Sequence, residues 1–471
     1  MVQANVVGGS NQQGSLPFDA QRTVNFRIVT DQDGKTPASL ISRPGLNLIG
    51  TTGTGPGRGG ITAANYRVFV VSGSGLYEQQ SDGTSTLRGT LDQNTGIVTM
   101  ADNGFQLAVC DQQSLYIFTY ATNAFQKVVT ANLPSAASVA FIGGYFIVNK
   151  SFNSGIFQIS APYDGLTWAA LGFATAESSP DALLRVMSIS GQLWLVGASS
   201  IEIWSNTGAA EFPFQRVNSA AQISTGTIAP FGVAEIDNTL FWISRNDKGF
   251  GIVYRADGFS PKRVSTDAIE LRLQAAPDPS SFHMITYQEA GHTYCTITGA
   301  GMETAPVLDI ATGLWTEDCY LNSSGTYELP LVVYTFLAFN QIIALDKNNG
   351  NIYVQSLNYY SDNGDNIARD RIFTHIFNKS VRFRLKNLAV FFETGTGNEA
   401  APGTNPIAQL RISEDGGRSF GSTYEGFIGQ VGQFQERGVM FWQLGAYFQA
   451  TFRLRVTEQI KVAVNGAEFN I

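Results

Sequence analysis

Seven times along the chain an apolar strand, a turn of Gly, Ser, Asn or Asp, and a second strand rich in aromatic or β-branched residues follow one another. The clearest copy is GQLWLVGASSIEIWSNTG, from Gly191 to Gly208. Other copies are YRVFVVSGSGLYEQ from Tyr66, FQLAVCDQQSLYIFTY from Phe105 and YFIVNKSFNSGIFQIS from Tyr145. LFWISRNDKGFGIVYR from Leu240, HTYCTITGAGMETAPVLDI from His292 and QIIALDKNNGNIYVQS from Gln341 complete the series. Each is a hairpin signature. Successive starts lie roughly 40 to 50 residues apart, the span of one four-stranded propeller blade. A small sheet cannot bury both of its faces, whereas sheets stacked radially cover each other. We therefore read residues 61–365 as a β-propeller of about seven blades, six also fitting, with the hairpin as the inner part of each blade.

The flanks read differently. Residues 1–60 form an N-terminal arm ending in a Gly-rich linker, GTTGTGPGRGG from Gly50. Two short helices, in SSPDALLRV near Pro180 and STDAIELRL near Thr266, carry a Ser cap or a Pro start and are expected as inter-blade excursions. From about residue 370, KSVRFRLKNLAVFFETGTG, AQLRISEDGG, VMFWQLG and QATFRLRVTEQIKVAVNGAEFNI alternate with period two between turn signals. This predicts a compact antiparallel β-sandwich, jelly-roll-like, over 366–471. The whole chain is expected to be all-β.

Composition agrees with a folded, weakly charged protein. Of 471 residues 44% are apolar and 14% charged, against a usual charged share of about a quarter. Net charge is -8, which disfavours gripping nucleic acid. The balance is uneven: from Asp365 onward there are 12 basic and 10 acidic residues, and before it 18 basic and 28 acidic. Three scattered cysteines, Cys110, Cys295 and Cys319, give no disulfide framework and suit a reducing compartment. No apolar run approaches the roughly 20 residues of a membrane span, so no stable membrane insertion is expected. The opening MVQANVVGGSNQQG shows neither a basic n-region nor an apolar h-region.

Chemistry-bearing motifs are sparse. Gly55, Gly57 and Gly60 satisfy a GxGxxG spacing, but Pro56 sits inside it and a strand follows, so a linker is favoured over a phosphate cradle. His283, His292 and His375 lack the spacing of a metal site and read as polar strand residues. Neither a GxSxG elbow, an HExxH helix nor a Walker loop occurs. No catalytic residue, cofactor or metal is assigned, and no enzyme activity is expected. SEDGGRSF, Ser413 to Phe420, resembles the Asp-box turn of sialidase-type propellers. Asp415 is expected to bind backbone amides across a tight turn, with Phe420 packed beneath, as a stabilising device.

Two basic stripes stand out. In KSVRFRLK, Arg382, Arg384 and Lys386 share one strand face and Val381, Phe383 and Leu385 the other. In FRLRV, Arg453 and Arg455 oppose Phe452, Leu454 and Val456. If the two strands pair, five cations form one patch. It is either a solvated face that discourages edge pairing or a docking surface for an acidic partner.

YDGLTWAALGFATAESSPDALLRVMSISGQLWLVGASSIEIWSNTGAAEFPFQRV, from Tyr163, resembles the tail-hub proteins of short-tailed bacteriophages, also called packaged-DNA stabilisation proteins or tail nozzles. So does IAPFGVAEIDNTLFWISRNDKGFGIVYRADGFSPKRVSTDAIE from Ile228, with RTVNFRIVT, PGLNLIG and DIATGLWTED around it. The similarity follows the family order over most of the chain, and the C-terminal region shares it in pattern only. The resemblance implies a non-catalytic protein of the virion tail, present in the host cytoplasm during assembly. It implies a ring of this chain, typically of six copies, beneath the adaptor ring of the head-to-tail connector. It also implies attachment of a tail needle and of tailspikes or fibres, and a channel holding viral double-stranded DNA without sequence-specific binding. An acidic or neutral wall suits such a conduit, because phosphate contacts would add adhesion. Two other readings stay open: a carbohydrate-active or carbohydrate-binding propeller, needing a convergent carboxylate pair and an arginine cluster in a central cleft, and a fibre or accessory adhesin.

Overall fold

The computed structural model describes the chain except residues 1, 13, 16–18, 31–36, 177–180, 219–221, 247–248, 379–380 and 471. Seven blades surround one axis. The first runs Gly57–Thr62, Val68–Ser72, Gly75–Gln79 and Ser85–Thr90 from the centre outward, each strand antiparallel to the last. Blades two to six repeat that order, beginning with Thr99–Asp102, Ser138–Ile142, Leu183–Ile189, Val233–Ile236 and His283–Glu289. In the seventh, Val332–Ala338, Gln341–Asp346 and Asn351–Ser356 are followed by Gly45–Thr51 from the other end of the chain. The recurring hairpin is thus the middle pair of each blade, flanked by an innermost and an outermost strand. Its apolar side chains interleave with those of the next blade: Trp194, Val196 and Ile201 of blade four pack with Val233, Leu240 and Trp242 of blade five.

The first sixty residues are shared between two bodies, and a boundary at residue 60 falls inside a strand, Gly57–Thr62. Neither a linker nor a phosphate cradle, this glycine run lets the innermost strand of blade one approach its neighbour. A Cβ on Gly60 would overlap the Phe336 ring of blade seven. The ring then closes through Val68 and Val70 packed with Ile343 and Leu345, and through Thr62 Oγ1 donating to Leu337 O at 2.6 Å.

The expected helix in STDAIELRL is present as Asp267–Gln274. Of the other, Ser178 to Pro180 lie outside the described residues, and Leu183–Ile189 is the innermost strand of blade four, paired with Gln192–Gly197. Ladder bonds and inter-blade packing outweigh a weak helix-start signal.

The C-terminal body is a sandwich completed by N-terminal strands. One sheet orders Phe26–Thr30, Ala38–Ser42, Ala463–Asn470, Phe383–Phe392 and Val439–Tyr447, with Val2–Ala4 also on Ala463–Asn470. The other orders Ala20–Val24, Arg369–Phe377, Gln449–Val456, Ile407–Ser413 and Tyr424–Phe427. Phe26, Leu40, Phe373, Leu388, Phe441 and Phe452 meet between them. Val24 also bridges in parallel to Glu317, which joins the second sheet to the outermost strand of blade six.

Candidate functional site: the propeller–sandwich junction

The N-terminal segment crosses from sandwich to propeller by burying charge. Glu317, whose side chain is fully buried on blade six, accepts from Arg22 Nη2 at 2.6 Å, Ser10 Oγ at 2.8 Å and Thr304 Oγ1 at 3.0 Å. Arg272 of the helix adds an ion pair at 2.7 Å. Burial alone pushes a carboxyl up, but the Arg22 and Arg272 guanidiniums outweigh it and hold Glu317 down at about 2. Next to it, Asp318 takes a bidentate pair of bonds from Arg27, at 2.7 and 2.6 Å, and Arg27 also donates to the Tyr287 hydroxyl. Arg43 repeats the arrangement on Asp362 at 3.0 and 2.6 Å. Asn25, held at φ 55°, ties the turn between the two N-terminal strands to both bodies through Ala368 O, the Cys319 amide and Arg43.

The FRLRV stripe belongs to this junction. Arg453 and Arg455 each reach Asp370 at 2.7 Å, and Asp370 also accepts from the Tyr327 hydroxyl. Burial raises the Asp370 carboxyl, but the two guanidiniums prevail and lower it. The Arg455 guanidinium lies over the Tyr327 ring at 5.6 Å and that of Arg453 over the Phe420 ring at 5.8 Å. Asp370 lies on the paired strand of the same sheet, so these cations are cross-strand partners within the sandwich, and they reach beyond it through Tyr327, on the connection between blades six and seven.

Arg382, Arg384 and Lys386 lie elsewhere. Their strand, Phe383–Phe392, sits in the first sheet of the sandwich and Gln449–Val456 in the second, so the two stripes do not pair into a five-cation patch. Alternation explains the outcome: Phe383 and Leu385 face Phe452 and Leu454 across the core, which turns the cations to opposite outer faces. Arg382, Arg384 and Lys386 are exposed, and Arg382 donates to Ala446 O at 3.1 Å.

At the other motif, Asp415 accepts from the Arg418 amide at 2.9 Å and from the Ser419 amide and hydroxyl, the latter at 2.6 Å. These bonds hold its carboxyl well below the usual carboxylate range. Phe420 lies under Arg453, so the turn braces the junction. Of the histidines, His283 is buried in the propeller centre, His292 meets Asp309 at 2.9 Å and His375 meets Thr451 at 3.0 Å. The cysteines are buried and unbridged, with burial pushing each thiol up to about 12.

A hollow of about 380 Å³ opens where the hairpin turns of blades five to seven meet, lined by Glu235, Asp237, Thr286, Gln288 and Phe336 among others. It brings carboxylates to the propeller axis, but its lining holds no arginine. Sequence reasoning missed Arg27, Glu317, Asp318, Asp362 and Asp370 altogether. Their signal was acids and arginines set inside apolar strands, as in LWTED and ARDRIF.

The family model for the bacteriophage P22 Gp10 β-propeller matches residues 2–307. No curated protein matches in sequence. Among solved structures, virginiamycin B lyase from Staphylococcus aureus is similar at 10% identity and a TM-score of 0.41, covering 70% of this chain and 98% of that one. The extracellular domain of BT4673 from B. thetaiotaomicron aligns at 8% identity and a TM-score of 0.46, over 82% of this chain and 45% of its own. The WD40 propeller domain of Doa1 gives 12% and 0.42, over 66% and 97%. Scores this low say nothing about activity. The match over residues 2–307 covers well over half of the sequence, and the chain belongs to the phage stabilisation family of the P22 Gp10 β-propeller.

Proposed function

We propose that this protein is a non-enzymatic building block of a short phage tail, a hub or nozzle. Several copies, six in the expected ring, extend the channel below the portal adaptor, retain packaged DNA and offer attachment to a needle and to spikes or fibres. The observation that carries the reading is the family match over residues 2–307. The junction supports it physically. Ion pairs buried between propeller and sandwich leave little freedom for hinge motion, which suits a load-bearing strut. The excess of acidic residues before Asp365 suits a wall that DNA slides past. The site of partner docking is proposed on the exposed Arg382, Arg384 and Lys386 face.

Particles assembled without the protein are expected to lose their DNA, and imaging of complete particles to place a ring of it on the tail axis below the adaptor. Particles that keep their DNA and fail only at adsorption would favour an adhesin. Hydrolysis of surface polysaccharide abolished by Glu235→Gln would favour a carbohydrate-active propeller. For the docking face, the double variant Arg382→Glu, Arg384→Glu is expected to melt within a degree or two of wild type, since exposed substitutions cost about 0.5 kcal/mol or less. Its incorporation into particles should fall about tenfold or more, as when charges are reversed at an interface. Normal incorporation returns these residues to an ordinary solvated face. Arg453 is left out of the variant because it holds Asp370.

A further inference from the structure

The interior arginines of the junction all end on carboxylates or on several backbone carbonyls. Arg185, on the innermost strand of blade four, does not. Its register against Gln192–Gly197 shifts between Leu183 and Arg185, a bulge of the kind that re-aims a side chain. The guanidinium lies 5.1 Å from the centroid of the Phe231 ring. Nη1 makes one long bond, 3.4 Å, to Pro230 O, and the buried Nε has no partner among the described residues.

Two more side chains, from blades six and seven, continue from the Phe231 ring. His283 of blade six is 8% exposed and its Nδ1 is likewise unpartnered. Its ring meets the Phe231 ring edge-on at 6.3 Å and stacks on Tyr334 of blade seven at 6.5 Å. Burial and the Arg185 charge push His283 down to about 3, so near neutral pH its ring is uncharged and one nitrogen carries a proton. The Arg185 Nε and the His283 Nδ1, each buried without a hydrogen-bond partner, are unfavourable as they stand. One anion between them relieves both.

We propose that the middle of the propeller binds a small tetrahedral oxyanion of the phosphate type. The planar fork of Arg185 takes two of its oxygens, His283 Nδ1–H a third, and the Tyr334 hydroxyl stands beside them. The rings of Phe231 and Tyr334 keep bulk water from the ion. The hollow at the hairpin-turn end is the entry: Thr286 and Phe336 in its lining lie on the strands of His283 and Tyr334, roughly 7 to 10 Å further along. Arg185 itself is only partly buried and is reachable from the axis.

The test uses the full chain, freed of phosphate and held at constant ionic strength with sodium chloride, and inorganic phosphate as the probe. Saturable ³¹P line broadening is expected with wild type. Binding about tenfold weaker is expected in His283→Phe, the loss of one charge-assisted bond, and about a hundredfold weaker in Arg185→Met, the loss of two. Lys262→Gln, exposed on the outermost strand of blade five, Ser260–Arg263, serves as the unaffected control. Broadening absent from wild type, or unchanged in Arg185→Met, overturns the site. Competition by chloride as effective as phosphate overturns the tetrahedral assignment. Should Arg185→Met fail to fold, His283→Phe and Tyr334→Phe decide, and full binding by both sinks the proposal.

Discussion

A chain that begins at residue 53 is expected to fold neither body. It lacks the outermost strand of blade seven, Gly45–Thr51, and with it the ring closure. It also lacks Phe26–Thr30 and Ala38–Ser42 from one sandwich sheet and Ala20–Val24 from the other. Val24, Phe26, Ile28, Leu40 and Leu46, each 3% exposed or less, would leave their cores. At about 1.5–3 kcal/mol per buried side chain, their loss alone is comparable to the total stability of an ordinary domain, about 5–15 kcal/mol. Removing Arg22, Arg27 and Arg43 would further strand Asp318 and Asp362 as buried, unpaired carboxylates and leave Glu317 with Arg272 as its one remaining cation of the two described. Insoluble expression, or a soluble product digested throughout by a protease at low dose, is the expected result. A cooperative melt with a protease-resistant core spanning blades one to six would show that the propeller stands without its N-terminal strand.

Glu317→Ala is the point substitution from which the largest loss is expected. It leaves the Arg22 and Arg272 guanidiniums facing each other with nothing between, which costs about 3–5 kcal/mol when a buried pair loses one partner. Urea unfolding followed by tryptophan fluorescence reads this directly, since Trp315 lies two residues away on the same strand. The triple variant Arg22→Met, Arg272→Met, Glu317→Leu should recover most of the loss, because apolar replacement of a buried ion pair is often neutral. Failure of the triple variant to recover would mean that Ser10 and Thr304, which also donate to Glu317, carry the effect.

The same residue sets an acid limit. The folded carboxyl at about 2 lies below its ordinary 4.5, so the folded state binds fewer protons than the unfolded one. Its contribution is complete above about pH 4.5 and is lost as pH falls toward 2. Asp370 is shifted in the same direction and adds to the loss. Wild type should thus lose stability steeply across that window, and the triple variant less steeply. Parallel slopes for the two proteins would remove Glu317 from the explanation.

The basic stripes show how far sequence reaches. Period-two alternation correctly separated Arg384 and Lys386 from Phe383 and Leu385, and Arg453 and Arg455 from Phe452 and Leu454, because pleating alone decides it. Alternation says nothing about which strand lies beside which. The stripes occupy separate sheets, and the second ends on Asp370, eighty-three residues from Arg453. The hollow at the hairpin turns and the Arg185 cluster were equally invisible, since each is assembled from blades well apart in sequence.

What the residues determined alone is local: the strand–turn–strand units, their spacing, the all-β character and the change of texture near residue 370. Turn residues and alternating apolar positions act within a few bonds of themselves, so they can be read one segment at a time. The tertiary structure decided where the first sixty residues belong. Gly45–Thr51 finds its partner at Asn351–Ser356 some three hundred residues away, and Gly57–Thr62, which carries hardly any strand signal, pairs with Val68–Ser72 at a place where a side chain at Gly60 would overlap Phe336. Those placements depend on closing a ring and on neutralising buried charge, and both conditions exist only once the distant parts of the chain have met.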